Sequence, residues 1–278
     1  MKLTPGLHGI VAIALLGASN AFAQAYWEAG VGVAALHLPD YRGADETHDY
    51  LLPFPYLVYR SERLRIDRSG IVARVFGTDR LELDASFTGN FALRSSGNRA
   101  REGMPPLHPM VEGGPELVYR IAGPRDRHKP RLDLRVAARA AFAVGGGRVS
   151  HEGWTLNPYL RLEQLDAFGS GFEFSATLGL LYGDRRYHDY LYSVAPLYAT
   201  AARPAYDAPG GYAGIQSQLG AGRRFGRLWV GGYLRLDSLN GSAALEGSPL
   251  VRSHRYFSAG IAATWLLGGS GLPEPSGD

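Results

Sequence analysis

The sequence predicts an all-β fold, a transmembrane antiparallel up-and-down β-barrel of twelve strands. Three observations carry that prediction. The first is alternation. From Arg131 to Phe142, Leu132, Leu134, Val136, Ala138, Ala140 and Phe142 share one face, while Arg131, Asp133, Arg135, Ala137, Arg139 and Ala141 share the other. Arg80 to Phe91 repeats the pattern, with Leu81, Leu83, Ala85, Phe87 and Phe91 opposite Arg80, Glu82, Asp84, Ser86, Thr88 and Asn90. The second is length. Both stretches run for about twelve residues, against about five or six for an ordinary soluble strand, and at about 3.4 Å per residue a tilted strand of that length crosses an apolar band about 25 Å tall. Strands of a soluble sandwich alternate too, but they are shorter. The third is export. Met1-Lys2 gives a positive start, Gly9 to Ala18 is a short apolar core, and Ala21-Phe22-Ala23 is a cleavage signal, so residues 1–23 read as a signal peptide cut after Ala23. That apolar core is too short to span a bilayer as a helix, and no later run approaches the length of about 18 residues that would.

Composition excludes several classes of function. The 278 residues carry 29 Lys+Arg against 26 Asp+Glu, a net charge of +3. The only lysines are Lys2 and Lys129, and the arginines alternate with apolar residues among acids, so the basic stripe that grips nucleic acid is missing. With no cysteine there is no disulfide scaffold, thiolate zinc site, iron–sulfur cluster or cysteine nucleophile. The mature chain reads as one barrel, 24–267, followed by a flexible Gly/Pro-rich tail, 268–278.

Taken in order, Tyr26–Leu36 is the first strand, the loop His37–Asp49 faces outward, and Tyr50–Arg60 returns. In Ser61–Phe76 the apolar phase switches: Leu64 and Ile66 share one parity, Ile71, Ala73 and Val75 the other. A tight turn over Asp67-Arg68-Ser69-Gly70 between two short strands accounts for the switch. Gly77-Thr78-Asp79 then turns at the inner side, Arg80–Phe91 rises, Arg94–Pro109 loops outside and Met110–Ala122 descends. After the inner connection Gly123–Pro130 come Arg131–Phe142, the outer loop Gly145–His151 and Glu152–Leu165. Asp166–Gly171 turns inside, Phe172–Asp184 rises, and Arg185–Gly211 is the longest outer loop. Tyr212–Phe225 and Arg227–Ser238 flank an inner turn, and the outer loop Leu239–His254 leads to Arg255–Leu267. The sum is even, with the long loops on one side, as single-chain outer-membrane barrels require; ten strands remain if Tyr50–Phe76 lies only partly in the membrane. Tyr26, Trp27, Tyr119, Trp154, Tyr182, Tyr212 and Trp265, near segment ends, suit the interfacial girdles. On these faces Leu134→Arg puts a charge into lipid, at a cost of about 2–4 kcal/mol near the midplane, whereas Arg135→Leu should be milder.

Residues able to carry chemistry are few. All seven histidines after the signal, His37, His48, His108, His128, His151, His188 and His254, fall in expected loops. His48-Asp49-Tyr50 and His188-Asp189-Tyr190 admit a protease at the outer rim, but nothing pairs them with a nucleophile. Gly145-Gly146-Gly147 and Gly220-Ala221-Gly222 lack the Gly-Lys-Ser/Thr continuation of a phosphate loop, and Asp45, Glu46 and Asp49 match no calcium loop, so neither cofactor nor metal is expected. The polar stripes say more. Glu82, Asp84, Glu112, Glu116, Arg120, Asp133, Arg135, Arg139, Arg161, Glu163, Glu173, Arg235 and Asp237 should face the lumen, where long side chains of both signs pair and narrow or close a barrel of this size. On the opposite, periplasmic side, Arg125, Arg127 and Lys129 form the densest charge run and are candidates for binding a partner.

The stretches Gly30-Val31-Gly32, Pro39-Asp40-Tyr41-Arg42-Gly43-Ala44 and Leu52-Pro53-Phe54-Pro55-Tyr56-Leu57-Val58-Tyr59-Arg60 resemble the N-terminal signature of the MipA/OmpV family of outer-membrane proteins. Gly114-Pro115-Glu116-Leu117, Asn157-Pro158, Leu239-Asn240-Gly241 and Ser248-Pro249-Leu250-Val251 extend the resemblance over the mature chain. It departs at Ser242, where members carry an acid, and after Trp265-Leu266-Leu267, where members end on an aromatic residue. The resemblance implies a non-enzymatic barrel in the Gram-negative outer membrane, in contact with its lipid, that scaffolds a murein transglycosylase and a murein synthase. A narrow channel for small solutes is the alternative, and a rim protease comes third.

Overall fold

In hydrocarbon every unpaired backbone N–H or C=O is costly, so strands with one apolar face are stable there only when the sheet closes on itself. The computed structural model describes residues 25–67, 70–90, 97–123, 129–167, 169–242 and 245–270, and in it the sheet does close. Twelve antiparallel strands follow one another around the ring: β1 Tyr26–Pro39, β2 Thr47–Arg60, β3 Leu64–Asp67, β4 Gly70–Gly77, β5 Leu81–Asn90, β6 Met110–Ala122, β7 Arg131–Gly145, β8 Arg148–Ala167, β9 Phe172–Gly183, β10 Gly211–Phe225, β11 Leu228–Ser238 and β12 Arg255–Gly269. β12 closes on β1 through ten residue pairs, from Glu28↔Gly269 to His37↔Ala259. Gly268 and Gly269, expected in the tail, therefore belong to the last strand. The signal segment 1–23, the turn residues Arg125 and Arg127, and the tail from 271 lie outside the described residues.

The faces fall as the period of two requires. Leu134 and Phe142 of β7 are exposed to the surroundings while Asp133, Arg135, Ala137 and Ala141, on the other parity, are buried inside. On β11, Val230, Leu234 and Leu236 face out and Trp229 and Asp237 face in. Trp27, Tyr119, Trp154 and Trp265 project outward as girdle residues should. Tyr26 does not. It shares the inward parity of Glu28 and donates its hydroxyl to that carboxylate.

Several strands run past their expected ends. His37 and Asp49 form a cross-strand pair with His37 Nδ1 2.7 Å from Asp49, so the loop between β1 and β2 shrinks to 40–46. β7 and β8 extend to the turn Gly146-Gly147 and take in His151. Thus His37, His48 and His151 stand on strands, not in loops, because strands that emerge into water can carry polar residues on both faces.

The wall is uneven between β2 and β5. β3 pairs with β2 only through Tyr59↔Ile66 and Arg60↔Arg65, so among the described residues β2 above Tyr59 is paired on the β1 side alone. Pro53 and Pro55 lie in that stretch. The β1–β2 register runs unbroken past Val33↔Pro53 and Val31↔Pro55, which places the two proline nitrogens on the other edge, where no N–H is required.

Candidate functional site: the barrel lumen and its outer plug

The inward stripes of β5, β6, β7 and β8 converge on Glu116. Arg135 Nη1 donates to Glu116 Oε1 at 2.9 Å, Arg139 Nη2 to Oε2 at 2.6 Å, and the Tyr159 hydroxyl to Oε1 at 3.1 Å. Arg135 Nη2 also reaches Asp133 at 3.0 Å, and Arg131 Nε holds the other oxygen of Asp133 at 2.8 Å. Arg139 Nε donates to Ser86 Oγ at 3.0 Å. Guanidinium forks suit this two-sided sharing of carboxylates, and only such pairing makes buried charge tolerable. Neighbouring groups neutralise one another as well: Glu82 takes Arg74 at 2.9 Å and Arg120 at 3.1 Å, Arg161 holds Glu163, and Arg235 grips Asp237 with bonds of 3.0 and 2.8 Å. Glu112 accepts from Thr155 at 3.1 Å, Asp84 lies buried opposite Glu116 in the β5–β6 ladder, and Glu173 is engaged near the start of β9.

These residues share the polar parities of their strands, but they do not form one cluster. Glu116, Asp133, Arg135 and Arg139 meet, whereas Arg235 and Asp237 belong to a second group built on Arg42. Arg42 comes from the β1–β2 loop, and its Nε donates to Asp237 at 2.8 Å while Nη1 reaches the Ala213 carbonyl. Periodicity could not find it, since it lies on no strand. Glu28 and Arg224, paired at 2.5 Å near the end that carries the termini, were missed although both lie on polar parities of their strands. Lys129, next to the undescribed part of its turn, is exposed.

The opposite end is covered by its loops. The helix α1, Arg185–Tyr192, is capped by Asp184, which accepts from Tyr187 N at 2.8 Å, and packs over Gly153 of β8. A Cβ at Gly153 would stand 2.2 Å from the Asp184 carboxylate, and its φ of +101° also calls for glycine. Tyr192 of the helix packs with Tyr41, Leu107, Leu239 and Leu245 from three other loops, and with Leu181 and Ala213 at the ends of β9 and β10, in one apolar cluster. Polar bonds tie it down: Tyr41 donates to the Leu250 carbonyl at 2.6 Å, Tyr192 to that of Arg42 at 2.9 Å, and Ser248 to that of Tyr192 at 2.7 Å. Asn98 and His48 both hold Asp40, at 2.9 and 2.7 Å, and Arg203 bonds the carbonyls of Ala100 and Glu102.

His188 is fully buried in this plug. Its Nδ1 lies 2.8 Å from the Pro209 carbonyl, which can only accept, so Nδ1 carries the proton, and Nε2 has no hydrogen-bond partner. Burial holds the imidazole below its usual range. His48, by contrast, is exposed enough to pair with a carboxylate, its Nδ1 lying 2.7 Å from Asp40. Among the described residues no group of His, Asp and Glu could hold a metal ion.

A closed meander of membrane-crossing strands, with its loops folded over one end and a paired-charge interior, defines the class: an outer-membrane β-barrel protein. The chain belongs to the family described as MltA-interacting protein MipA, whose family model matches residues 31–267. No curated protein matches it significantly. Among solved structures it is similar to a CymD monoaromatic hydrocarbon channel, with 12% identity, 87% of this chain and 88% of that one covered, and a TM-score of 0.37. It is also similar to OpdO of Pseudomonas aeruginosa, with 12% identity, coverage of 88% and 97%, and a TM-score of 0.27.

Proposed function

We propose that this protein is a non-enzymatic scaffold of the outer membrane that holds a murein transglycosylase and a murein synthase at the periplasmic face. The observation that carries the reading is that outer loops sharing an apolar cluster lie over one end of the barrel, while on one side of the lumen Glu116, Arg135 and Arg139 neutralise one another. Loops folded over one end and paired charge inside favour an anchor over a conduit. The name of the family, which describes an MltA-interacting protein, supports a partner of that class. The partner would be met at the short turns beside the termini, which in outer-membrane barrels face the periplasm, and Arg125, Arg127 and Lys129 supply the charge there.

The test pairs capture with conductance. Immobilised protein should retain a lytic murein transglycosylase, and replacing Arg125, Arg127 and Lys129 with glutamine should weaken retention about tenfold while bilayers containing the protein stay non-conducting. Retention indifferent to these residues, together with a conductance whose ion selectivity changes on neutralising Arg135 and Arg139, would replace the scaffold with a narrow solute channel.

A further inference from the structure

Between the paired-charge side of the lumen and the facing strands lies a cavity of about 340 Å³, a size suited to a small molecule. Its wall is aromatic. Phe54 and Tyr56 of β2 and Trp229 and Tyr233 of β11 line it, and the Tyr56 and Trp229 rings stack at 6.0 Å with an interplanar angle of 27°. These rings lie against the sheet instead of filling the lumen, because glycines make room for them. A Cβ at Gly231 would stand 2.3 Å from the Trp229 ring, and one at Gly260 would stand 2.5 Å from the Tyr233 ring. The space left in front is bounded by flat apolar surface.

The charges at the end of the cavity nearest the termini are all partnered except one. Arg161 is paired with Glu163, Arg65 with Asp67 at 3.4 Å, Arg224 with Glu28, and Glu173 is engaged. Arg60, the last residue of β2, has no acidic partner among the described residues. Its guanidinium lies 5.6 Å from the centre of the Tyr26 ring, and its Nε is buried without an acceptor. Every other arginine lining this cavity or the small recess beside it, which Arg60 also lines, has a carboxylate.

We propose that this cavity binds a small organic monoanion with a flat apolar body, its carboxylate taken by Arg60 and its body laid against the Phe54, Tyr56, Trp229 and Tyr233 wall. A guanidinium fork presents parallel donors that match a carboxylate. One negative charge is the right number, since Asp67, Glu163 and Glu173 line the same space and repel a second. The site is independent of the scaffold reading and adds a ligand to the barrel itself.

The experiment uses the full barrel in nanodiscs, with no murein enzyme present, and titrates 2-naphthoate, neutral 2-naphthalenemethanol and the 2-naphthylmethylammonium cation. The naphthoate should bind about tenfold or more tightly than the alcohol, and the cation most weakly. Arg60→Gln should bring naphthoate to the level of the alcohol without changing the alcohol's own affinity. Gln218→Trp, which fills the cavity from β10, should weaken both by about tenfold. The proposal is overturned if the wild-type barrel does not prefer naphthoate to the alcohol, or if Gln218→Trp leaves naphthoate binding intact; both results are obtained even where Arg60→Gln does not fold. Because murein enzymes are absent, such a failure leaves the scaffold reading where it stands.

Discussion

At the residue scale, Arg135 shows what a period of two can and cannot reveal. Alternation puts Leu134 in lipid and Arg135 in the lumen, and on that ground alone a charge at 134 should hurt more than a leucine at 135. The contacts reverse the order. Leu134 pairs with Tyr119, a girdle residue, so it sits at the interface, where an added arginine costs only about 0–1 kcal/mol. Arg135 is buried between Glu116 and Asp133, and removing one partner of a buried pair costs about 3–5 kcal/mol. Urea titrations of the folded, heat-modifiable form should therefore show Arg135→Leu as the less stable variant; a larger loss for Leu134→Arg would mean that the ion-pair network contributes little. His188 supplies a pH test. Burial favours its neutral form in the folded plug, while the unfolded imidazole has a pKa of about 6.5. The unfolded loop binds the extra proton, so the contribution of His188 is fully present above about pH 6.5 and is lost as pH falls from there toward the lower folded value. Hydrogen exchange of residues 185–209, corrected for intrinsic rates, should rise between about pH 7.5 and about pH 5.5. His188→Gln, which can still donate to Pro209, should flatten that rise, and an unaltered slope would assign it to another group.

At the element scale, most strands were legible because membrane-crossing β-structure writes its faces into every second residue. β6 runs over Met110–Ala122 as the alternation indicates, and the phase switch in Ser61–Phe76 does mark a hairpin, β3 and β4. Legibility ended where that constraint ends. Outside the bilayer a strand no longer needs an apolar face, so the tips of β1, β2, β7 and β8 looked like loops. In the lumen, which residues face inward was readable, but which of them meet was not, since Glu116, Arg139 and Tyr159 come together across three strands only after the register is set. The β2 edge makes a prediction against ordinary propensity. Valine is normally the better strand residue. Yet Pro53→Val and Pro55→Val each add an N–H to an edge with no described partner, and on this exposed stretch a donor facing hydrocarbon without an acceptor is costly. The double variant should unfold at lower urea than the parent barrel, whereas an increase in stability would show that this edge is solvated or paired.

At the scale of the whole molecule, the closing loops are a second core set on the end of the barrel. The stretch Pro39-Asp40-Tyr41-Arg42-Gly43-Ala44, part of the family signature, has a physical role. Asp40 receives His48 and Asn98, Tyr41 reaches Leu250, Arg42 reaches down to Asp237, and the Gly43 carbonyl accepts from Arg252 and Ser253. Ser242 is buried and donates to the Tyr212 carbonyl, a bond that an ionised acid at this position could not make. Leu239, Leu245 and Leu250 are fully buried, each worth about 1.5–3 kcal/mol, and the loops are anchored on the strand ends through Leu181, Ala213 and the Arg42–Asp237 pair. Whether the barrel in turn needs these loops can be tested by excision. Gly183 and Gly211 are register partners at the ends of β9 and β10, so replacing residues 184–210 with a short Gly/Ser linker joins two strands that are already adjacent. The barrel should remain heat-modifiable, because its ladder is untouched, while loss of Tyr192 and α1 uncovers Tyr41 and Leu239 and raises binding of an apolar dye. If the loops seal the outer end, planar bilayers containing the excised protein should acquire a small conductance that the parent lacks, and Glu116→Gln should then shift its ion selectivity toward anions. An excised barrel that folds, binds the dye and still does not conduct would move the seal from the loops to the Glu116–Arg135–Arg139 network.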